Sequence, residues 1–536
     1  MLRSSEIEQL TVTQALGAHT ACVLHFTRDS ATDLAVDTML GQALAVTVED
    51  DGGTVDVFHG VVTAGRQTHQ LQHGSVFHLE ARSRSCALER RRTTYFRAST
   101  LADVAQRLGA SLVGAPASAD PLEFVQFGET DFDFLRRLAD EQGMFVRTNT
   151  PGIEVRNAFD DAGLTLVWGR DLLSVTASCE SANNGVAGAA HLVQEKRDHR
   201  FRGVSKDPSW LGGAAPLTAA ASRVARERRG AEGDALVEEL PFRSKTLESA
   251  RAHLEQLSER ALGTTVCVDG EANNPRVRAG DTVTLEESEA FTLPTRGTLG
   301  VVEVTHHFDG QLYRCVFRAT PWSAWTNAQR PVRATVHGPT TGMVVDNVDP
   351  QRMGRLKVRL RWHDAGESTR WLRMAMPYSG NTRGLHFLPE IGDEVLVAFE
   401  LGDPERPLII GALWNGKDAA DTTDANTAKR IVTRSGNTIQ FHDDDPGNER
   451  IELFSATGQT WVQLANNGGK PLLTIHSEGD IALEARNEIR LACRTLTERI
   501  GVPAAGPPSP WVAGAVPRPA AEKTTADARL PAGGRR

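Results

Sequence analysis

Apolar and polar positions alternate in short runs along most of this chain, and a helical period surfaces in only three places. Residues 43–48 (ALAVTV) and 55–62 (VDVFHGVV) alternate on either side of EDDGG, which predicts a hairpin. Residues 76–81 (VFHLEA) predict another strand. Leu101, Val104, Ala105 and Leu108 then fall at helical spacing, which predicts a helix stopped at Gly109. A second helix is predicted after Thr130. Thr130 serves as its N-cap, Asp131 and Asp133 suit the positive end of the dipole, and Gly143 ends it. Its apolar face comprises Phe134, Leu135, Leu138 and Ala139. A third helix is predicted over 246–262, with Leu247, Ala250, Leu254, Leu257 and Ala261 on one face and Gly263 after it. The Gly/Ala-rich residues 181–190 read as loop. Strands are predicted again at 264–268, 280–285 and 300–305. The simplest architecture is two barrel-like sheets flanking a segment with helices.

Residues 334–414 change the pattern. Turn signals at Asp349-Pro350, Gly354, Gly380, Gly392 and Gly402-Asp403-Pro404 separate short strands. The size fits a closed five-stranded barrel of the OB type. Two apolar runs, 394–399 (EVLVAF) and 407–411 (PLIIG), surround the acidic turn Gly402-Asp403-Pro404-Glu405. The stretch holds no nucleophile–base pair and no metal-ligand spacing, so it reads as structural.

A repeat follows. Ile439, Ile451, Val462, Leu473, Ile481 and Ile489 each sit in a short alternating run, at spacings of 12, 11, 11, 8 and 8 residues. Turn residues separate the runs, which predicts strand, turn, strand at a constant rise. Ordering a chain costs about 1.5 kcal/mol per residue, and one thin meander buries too little apolar area to offset it. Copies wound around one axis bury more, because repeats need stacked neighbours. This predicts an intertwined oligomer. Three chains give a prism with one sheet per face, and the six residues named above form its core. The alternative is an ordinary two-layer sheet. Residues 501–536 are rich in Pro and Ala and read as a disordered tail. In that tail Trp511-Val512 is a candidate docking anchor, weighed against a passive tail.

Composition narrows the partners. A chain of 536 residues implies three or four domains. The net charge of −9 argues against nucleic acid or an anionic membrane as the main partner. The six cysteines are scattered without a CxxC, which suits reduced thiols made in a cytosol. The N-terminus lacks a basic region followed by an apolar run, and no apolar run nears the roughly 20 residues that span a bilayer. The expectation is a protein made in the cytoplasm without a signal peptide.

Each candidate for chemistry has a structural role that explains it. Residues 411–418 (GALWNGKD) nearly match the phosphate loop, but Asp418 stands where a hydroxyl should meet Mg²⁺. A strand-ending turn fits better. Glu129, Asp131 and Asp133 are explained by helix capping rather than by paired catalytic carboxylates. His306-His307 and His442-Asp443-Asp444-Asp445 lack metal-ligand spacing, so they are expected at exposed strand ends and turns. The same holds for His363-Asp364. No GxSxG elbow is present. No catalytic residue, cofactor or metal is expected.

Residues 125–143 (VQFGETDFDFLRRLADEQG) resemble a helix motif of the VgrG family, the valine-glycine repeat spike proteins. Residues 354–358 (GRLKV), 371–373 (WLR), 388–395 (LPEIGDEV) and 402–407 (GDPERP) resemble that family's OB domain, and the repeat is similar to its spike. The resemblance covers the chain to about residue 500. It implies a mainly β fold with some α, built like the fused hub and spike of a contractile phage tail. Two barrel-like hub domains with a helical insert would be followed by an OB-fold neck and a C-terminal trimeric triple-stranded β-helix or prism. The expected divisions are 1–95 (first hub barrel), 96–190 (helix-containing hub segment), 191–333 (second hub barrel, with helix 246–262), 334–420 (neck), 428–497 (spike) and 501–536 (tail). Implied partners are two further copies of the chain, a hexameric inner-tube protein, baseplate proteins, a PAAR-like tip protein and an effector or adaptor. Glu390 and Asp393 depart from the commonest type VI pattern, which has Arg and Gln there. The ending at 411–418 resembles phage-like and extracellular members.

The expected function is a non-enzymatic homotrimeric spike that caps the inner tube of a type VI secretion system and enters a target cell. An extracellular injection particle or phage tail is the near alternative. A cell-wall-degrading enzyme that binds through its β-region, and a trimeric surface adhesin, are the alternatives of other classes.

Overall fold

The computed structural model describes residues 6–497 apart from 29–34, 51, 71–73, 117–118, 120, 150, 180–188, 195–196, 203–265, 289–296, 321–333, 419–425 and 444–445. The predicted helix 246–262 and the tail 501–536, with Trp511 and Val512, lie outside the described residues. The chain divides into two units, Met1–Leu413 and Trp414–Arg536.

The first unit is organised by an eleven-stranded sheet. Along its main path run Leu172–Cys179, Val266–Ala272, Tyr313–Thr320, Gly297–Phe308, Ile7–Ala15, Ala21–Arg28, Gly74–Ser83, Gly53–Gln70 and Ala43–Asp50. Asp160–Val167 pairs in parallel with Asp281–Glu286, which pairs antiparallel with Gly297–Phe308. Ile7–Ala15 is the seam of this sheet. It pairs with Gly297–Phe308 on one side and with Ala21–Arg28 on the other, so Leu10 lies opposite both Phe308 and Leu24.

Strand alternation sends every second side chain inward. Two cores result. Val12, Leu24, Phe26, Phe58 and Phe77 fill one, and Val268, Val283, Leu299, Val304 and Phe317 fill the other. Gly270 lies against the Phe317 ring, where any Cβ would overlap it. The predicted hairpin forms between Ala43–Asp50 and Gly53–Gln70, with Ala43 opposite Val61.

A third core collects the helices. Leu101, Val104, Ala105 and Leu108 of the first helical stripe pack with Phe134, Leu135, Leu138 and Ala139 of the second. Helix Leu101–Arg107 starts on a capping box, in which the Asp103 amide donates to Thr100 Oγ1 (3.2 Å) and the Thr100 amide donates to Asp103 Oδ2 (2.7 Å). Helix Asp131–Glu141 starts on Thr130, whose Oγ1 accepts from the Asp133 amide at 2.9 Å. Beside these helices Arg91–Ser99 pairs with Leu122–Thr130 as a two-stranded sheet.

The main sheet of the OB region has four strands in the order Lys357–Leu360, Thr340–Asp346, Glu394–Phe399, Pro407–Leu413, and Ser379–Gly380 pairs separately with Arg383–Gly384. Where a fifth strand was expected, the structure has two isolated bridges, Leu356 to Leu372 and Met374 to Ile409. Asp349 locks one turn of this barrel. Its carboxylate accepts from the Gln351 and Met353 amides and from Nε and Nη2 of Arg355, all within 3.0 Å. The Arg355 hydrogen bonds hold the Asp349 carboxyl well below the usual carboxylate range. Asp393 shapes another turn by accepting from the Glu390 amide at 2.7 Å.

The second unit carries a five-stranded antiparallel meander in chain order: Ala428–Val432, Thr438–His442, Arg450–Phe454, Thr460–Asn467 and Lys470–Ser477. No helix among the described residues is long and apolar enough to cross a membrane.

Candidate functional site, an open apolar sheet face

The meander's register sorts its side chains into two unlike faces. Residues opposite each other on paired strands share a face. One face holds the row Ile431, Ile439, Leu453, Val462, Ile475 and the row Lys429, Phe441, Ile451, Leu464, Leu473. Nine of these ten side chains are apolar, and eight of the nine are exposed; Ile475 is 54% accessible. Four residues expected in a prism core, Ile439, Ile451, Val462 and Leu473, therefore lie together on this face. The reading by fixed spacing missed Ile431, Phe441, Leu453, Leu464 and Ile475. The signal for them was the two-residue alternation within each strand.

The opposite face has a polar middle row between two mixed outer rows, one with Val432, Phe454 and Trp461 and one with Leu472. Its middle row is Arg430, Gln440, Glu452, Gln463, Thr474. Glu452 is 3% exposed. Its carboxylate accepts from Gln463 Nε2 at 2.7 Å and Arg450 Nε at 3.3 Å, and lies 3.0 Å from His442 Nε2. A lone soluble sheet places its apolar face inward and its polar face in water. This one leaves eight apolar side chains of one face in water while burying Gln440 and Glu452 on the other.

Ile481 and Ile489 were expected inside strands. Residues 478–497 instead make no ladder within the single chain. A strand exists only by pairing, and this segment finds no partner strand among the described residues. Leu483 and Leu491 follow two residues after Ile481 and Ile489, and all four are exposed. The eight-residue pattern is therefore present in the side chains without a sheet to carry it.

The candidate catalytic residues have structural partners. Residues 411–418 end a strand in a turn in which Asn415 Oδ1 accepts from the Lys417 and Asp418 amides. Of the acidic trio, Asp131 and Asp133 stand in the first turn of the helix as expected, and Asp133 also joins the cap hydrogen bonds. Glu129 and Asp131 are buried, Glu129 forked by Arg137 and Asp131 bonded to Arg92 and Gln126. The capping expectation is corrected for Glu129, which precedes the helix and is held by Arg137, while Asp131 keeps its place in the first turn and is bonded to Arg92 as well. His306 is not at an exposed strand end. Its side of Gly297–Phe308 faces the core, and its Nδ1 lies 2.6 Å from the Tyr313 hydroxyl. His442 is likewise drawn in by Glu452. His363 is half-buried against the Tyr95 ring. Among the described residues no three His, Cys, Asp or Glu side chains are grouped to hold a metal.

A family model described as phage tail baseplate hub (GPD) matches residues 15–312, more than half of the chain. The chain belongs to the phage tail baseplate hub family. In this hub protein, residues 340–414 match a second model, the type VI secretion system/phage-baseplate injector OB domain. Type VI spike protein VgrG1c of Pseudomonas aeruginosa is 28% identical over 179 residues, 30% of this chain and 22% of that protein. Spike protein VgrG3 of Vibrio cholerae is 30% identical over 150 residues, 26% of this chain and 14% of that protein. The hub protein thus aligns with less than a quarter of the length of either relative. Among solved structures, the E. coli c3393 protein is described as a type VI component similar to T4 tail proteins gp27 and gp5. It superposes with a TM-score of 0.51 at 17% identity, over 76% of this chain and 97% of its own. A chain of the lidded Francisella PdpA–VgrG complex superposes at 0.57 with 10% identity, over 89% of this chain and 77% of its own. These two likenesses are of fold. The VgrG resemblance drawn from the helix and OB motifs agrees with both family matches.

Proposed function

We propose that this hub-family protein is the homotrimeric puncturing spike at the tip of a type VI contractile injection system. In this reading two hub barrels per chain form a pseudo-sixfold ring that caps a hexameric inner tube, within a baseplate. The OB region is the neck. Residues 428–497 form the shared prism, with Ile439, Ile451, Val462, Leu473, Ile481 and Ile489 in its core. A PAAR-like tip protein and an effector or adaptor travel with it into the target cell, and the tail 501–536 offers Trp511 and Val512 for docking. The function is mechanical and needs no catalytic residue.

One observation carries this reading: the meander buries Gln440 and Glu452 of the polar row on one face and exposes eight of the nine apolar side chains on the other. Two further copies wound about one axis would cover that face, and would supply pairing partners for residues 478–497. The hub-family match over residues 15–312 favours, as a second reading, the same role in a phage tail or an extracellular injection particle.

Light scattering tests the assembly. The expected mass is three times that of the 58.1 kDa chain. A stable single-chain mass would sink the proposal. Ile481→Asp combined with Ile489→Asp is expected to abolish the trimer, and normal trimers from that variant would show that the repeat is not a shared core.

A further inference from the structure

Two stretches that look unrelated in sequence meet at one backbone residue, Val125. It lies on Leu122–Thr130 opposite Tyr95 of Arg91–Ser99. Among the described residues those strands pair only with each other, so each leaves an edge with no described strand beside it. On that edge the Val125 amide donates to Glu405 Oε1 at 3.1 Å, and the Val125 carbonyl accepts from Arg137 Nη2 at 3.1 Å. Glu405 belongs to the GDPERP turn of the OB barrel, and Arg137 to helix Asp131–Glu141. Two charged side chains from different elements take the hydrogen-bonding places of a missing third strand.

The pair is held from both sides. The side chains of Arg137 and Glu405 are 4% and 5% exposed, and Arg137 Nη1 lies 3.9 Å from Glu405 Oε1. Arg137 forks Glu129 through Nε (2.9 Å) and Nη2 (3.1 Å) and reaches Glu141 at 3.0 Å. Burial works against the guanidinium charge, but Glu141, Glu129 and Glu405 outweigh it and hold its pKa above the ordinary value. Aromatic contacts flank this centre, Phe127 on Trp362 (5.2 Å) and Tyr95 on His363 (4.5 Å). Arg97 Nη2 also donates to the Ser368 carbonyl. Apolar contacts are non-directional and tolerate sliding, whereas charge-assisted hydrogen bonds fix geometry.

We propose that Arg137 and Glu405 are positioning residues that set the angle of the OB barrel on the helix-bearing segment, by clamping the open strand edge at Val125. The inference rests on the geometry within the first unit and is independent of what the assembly delivers.

The test is deuterium exchange on the full-length protein, with fragmentation that resolves the Val125 amide. Glu405→Ala is expected to speed exchange at Val125 at least tenfold while Val304 and Val397 keep their rates. Glu405→Gln keeps an uncharged acceptor and is expected to fall between Ala and wild type. Unchanged exchange at Val125, or an equal rise at all three amides, would overturn the proposal, the latter because it marks an ordinary core residue. Should Glu405→Ala not fold, Glu405→Gln alone decides, through a rise of severalfold or none. The angle is read by dipolar distances between spin labels at Gln106→Cys and Val348→Cys, both exposed. The background is Cys86→Ser, Cys179→Ser, Cys267→Ser and Cys493→Ser, with labelled chain diluted in unlabelled. A broadened distribution in Glu405→Ala, narrowed again in Glu405→Gln, is expected, and identical distributions in all variants would overturn it.

Discussion

His306 sits inside the second sheet core with its ring beside Tyr313. Burial, with a smaller contribution from Arg278, pushes its pKa down to about 3, against 6.5 for an ordinary histidine. The folded chain therefore declines a proton that the unfolded chain accepts. The stability tied to a neutral His306 is fully present above about pH 6.5 and drains away as pH falls toward the folded value. Replacing the pair by His306→Leu and Tyr313→Phe removes the titration without orphaning either partner. The expected outcome is a urea midpoint that drops less between pH 7 and pH 5 than in the wild type, at equal protein concentration. An unchanged drop would place the acid sensitivity elsewhere. His306 also marks what a sequence does not disclose. The adjacent His306 and His307 look alike in the chain, yet strand alternation sends one into the core and leaves the other beside Thr11 Oγ1. Asp131 keeps the first-turn place its position predicts, but the partners of Glu129 and Asp131 lie elsewhere, Arg137 eight residues on and Arg92 thirty-nine residues back. Partners of that kind are invisible until the chain is folded.

At the scale of elements, local signals performed best where a single stretch satisfies itself. Helix Asp131–Glu141 begins at Thr130 and buries the predicted face. Its cap is separable from its packing. Thr130→Ala is expected to cost about 1 kcal/mol, and Thr130→Ser to restore most of it. Paired denaturant titrations check this, and an equal loss in both variants would mean that the threonine methyl, not its hydroxyl, matters. Elements that depend on a neighbour were harder to read. The fifth OB strand dwindles to two bridges, Leu356 to Leu372 and Met374 to Ile409. Residues 478–497 carry a clear eight-residue pattern but no ladder in one chain. Pattern shows which side chains belong together, while pairing shows whether a strand exists.

At the scale of the molecule, the two units solve the burial problem differently. The first encloses three apolar clusters under its hub sheet and helices and a fourth in the OB barrel. The second leaves its widest apolar surface open, with Phe441, Leu464 and Leu473 exposed beside Ile439 and Ile451. Association driven by apolar area should therefore reside mainly in the second unit. A chain ended at Lys417 keeps all four clusters and loses that face. It is expected to stay folded, with strand signal and cooperative melting intact, and to dissociate on dilution at concentrations where the full chain does not. Sedimentation across a dilution series checks this directly. If the shortened chain held its assembly as firmly as the full one, the dominant contacts would lie in the hub, and the open face of the meander would need another occupant. If it failed to fold, the hub would depend on the spike unit for stability, contrary to its four filled cores.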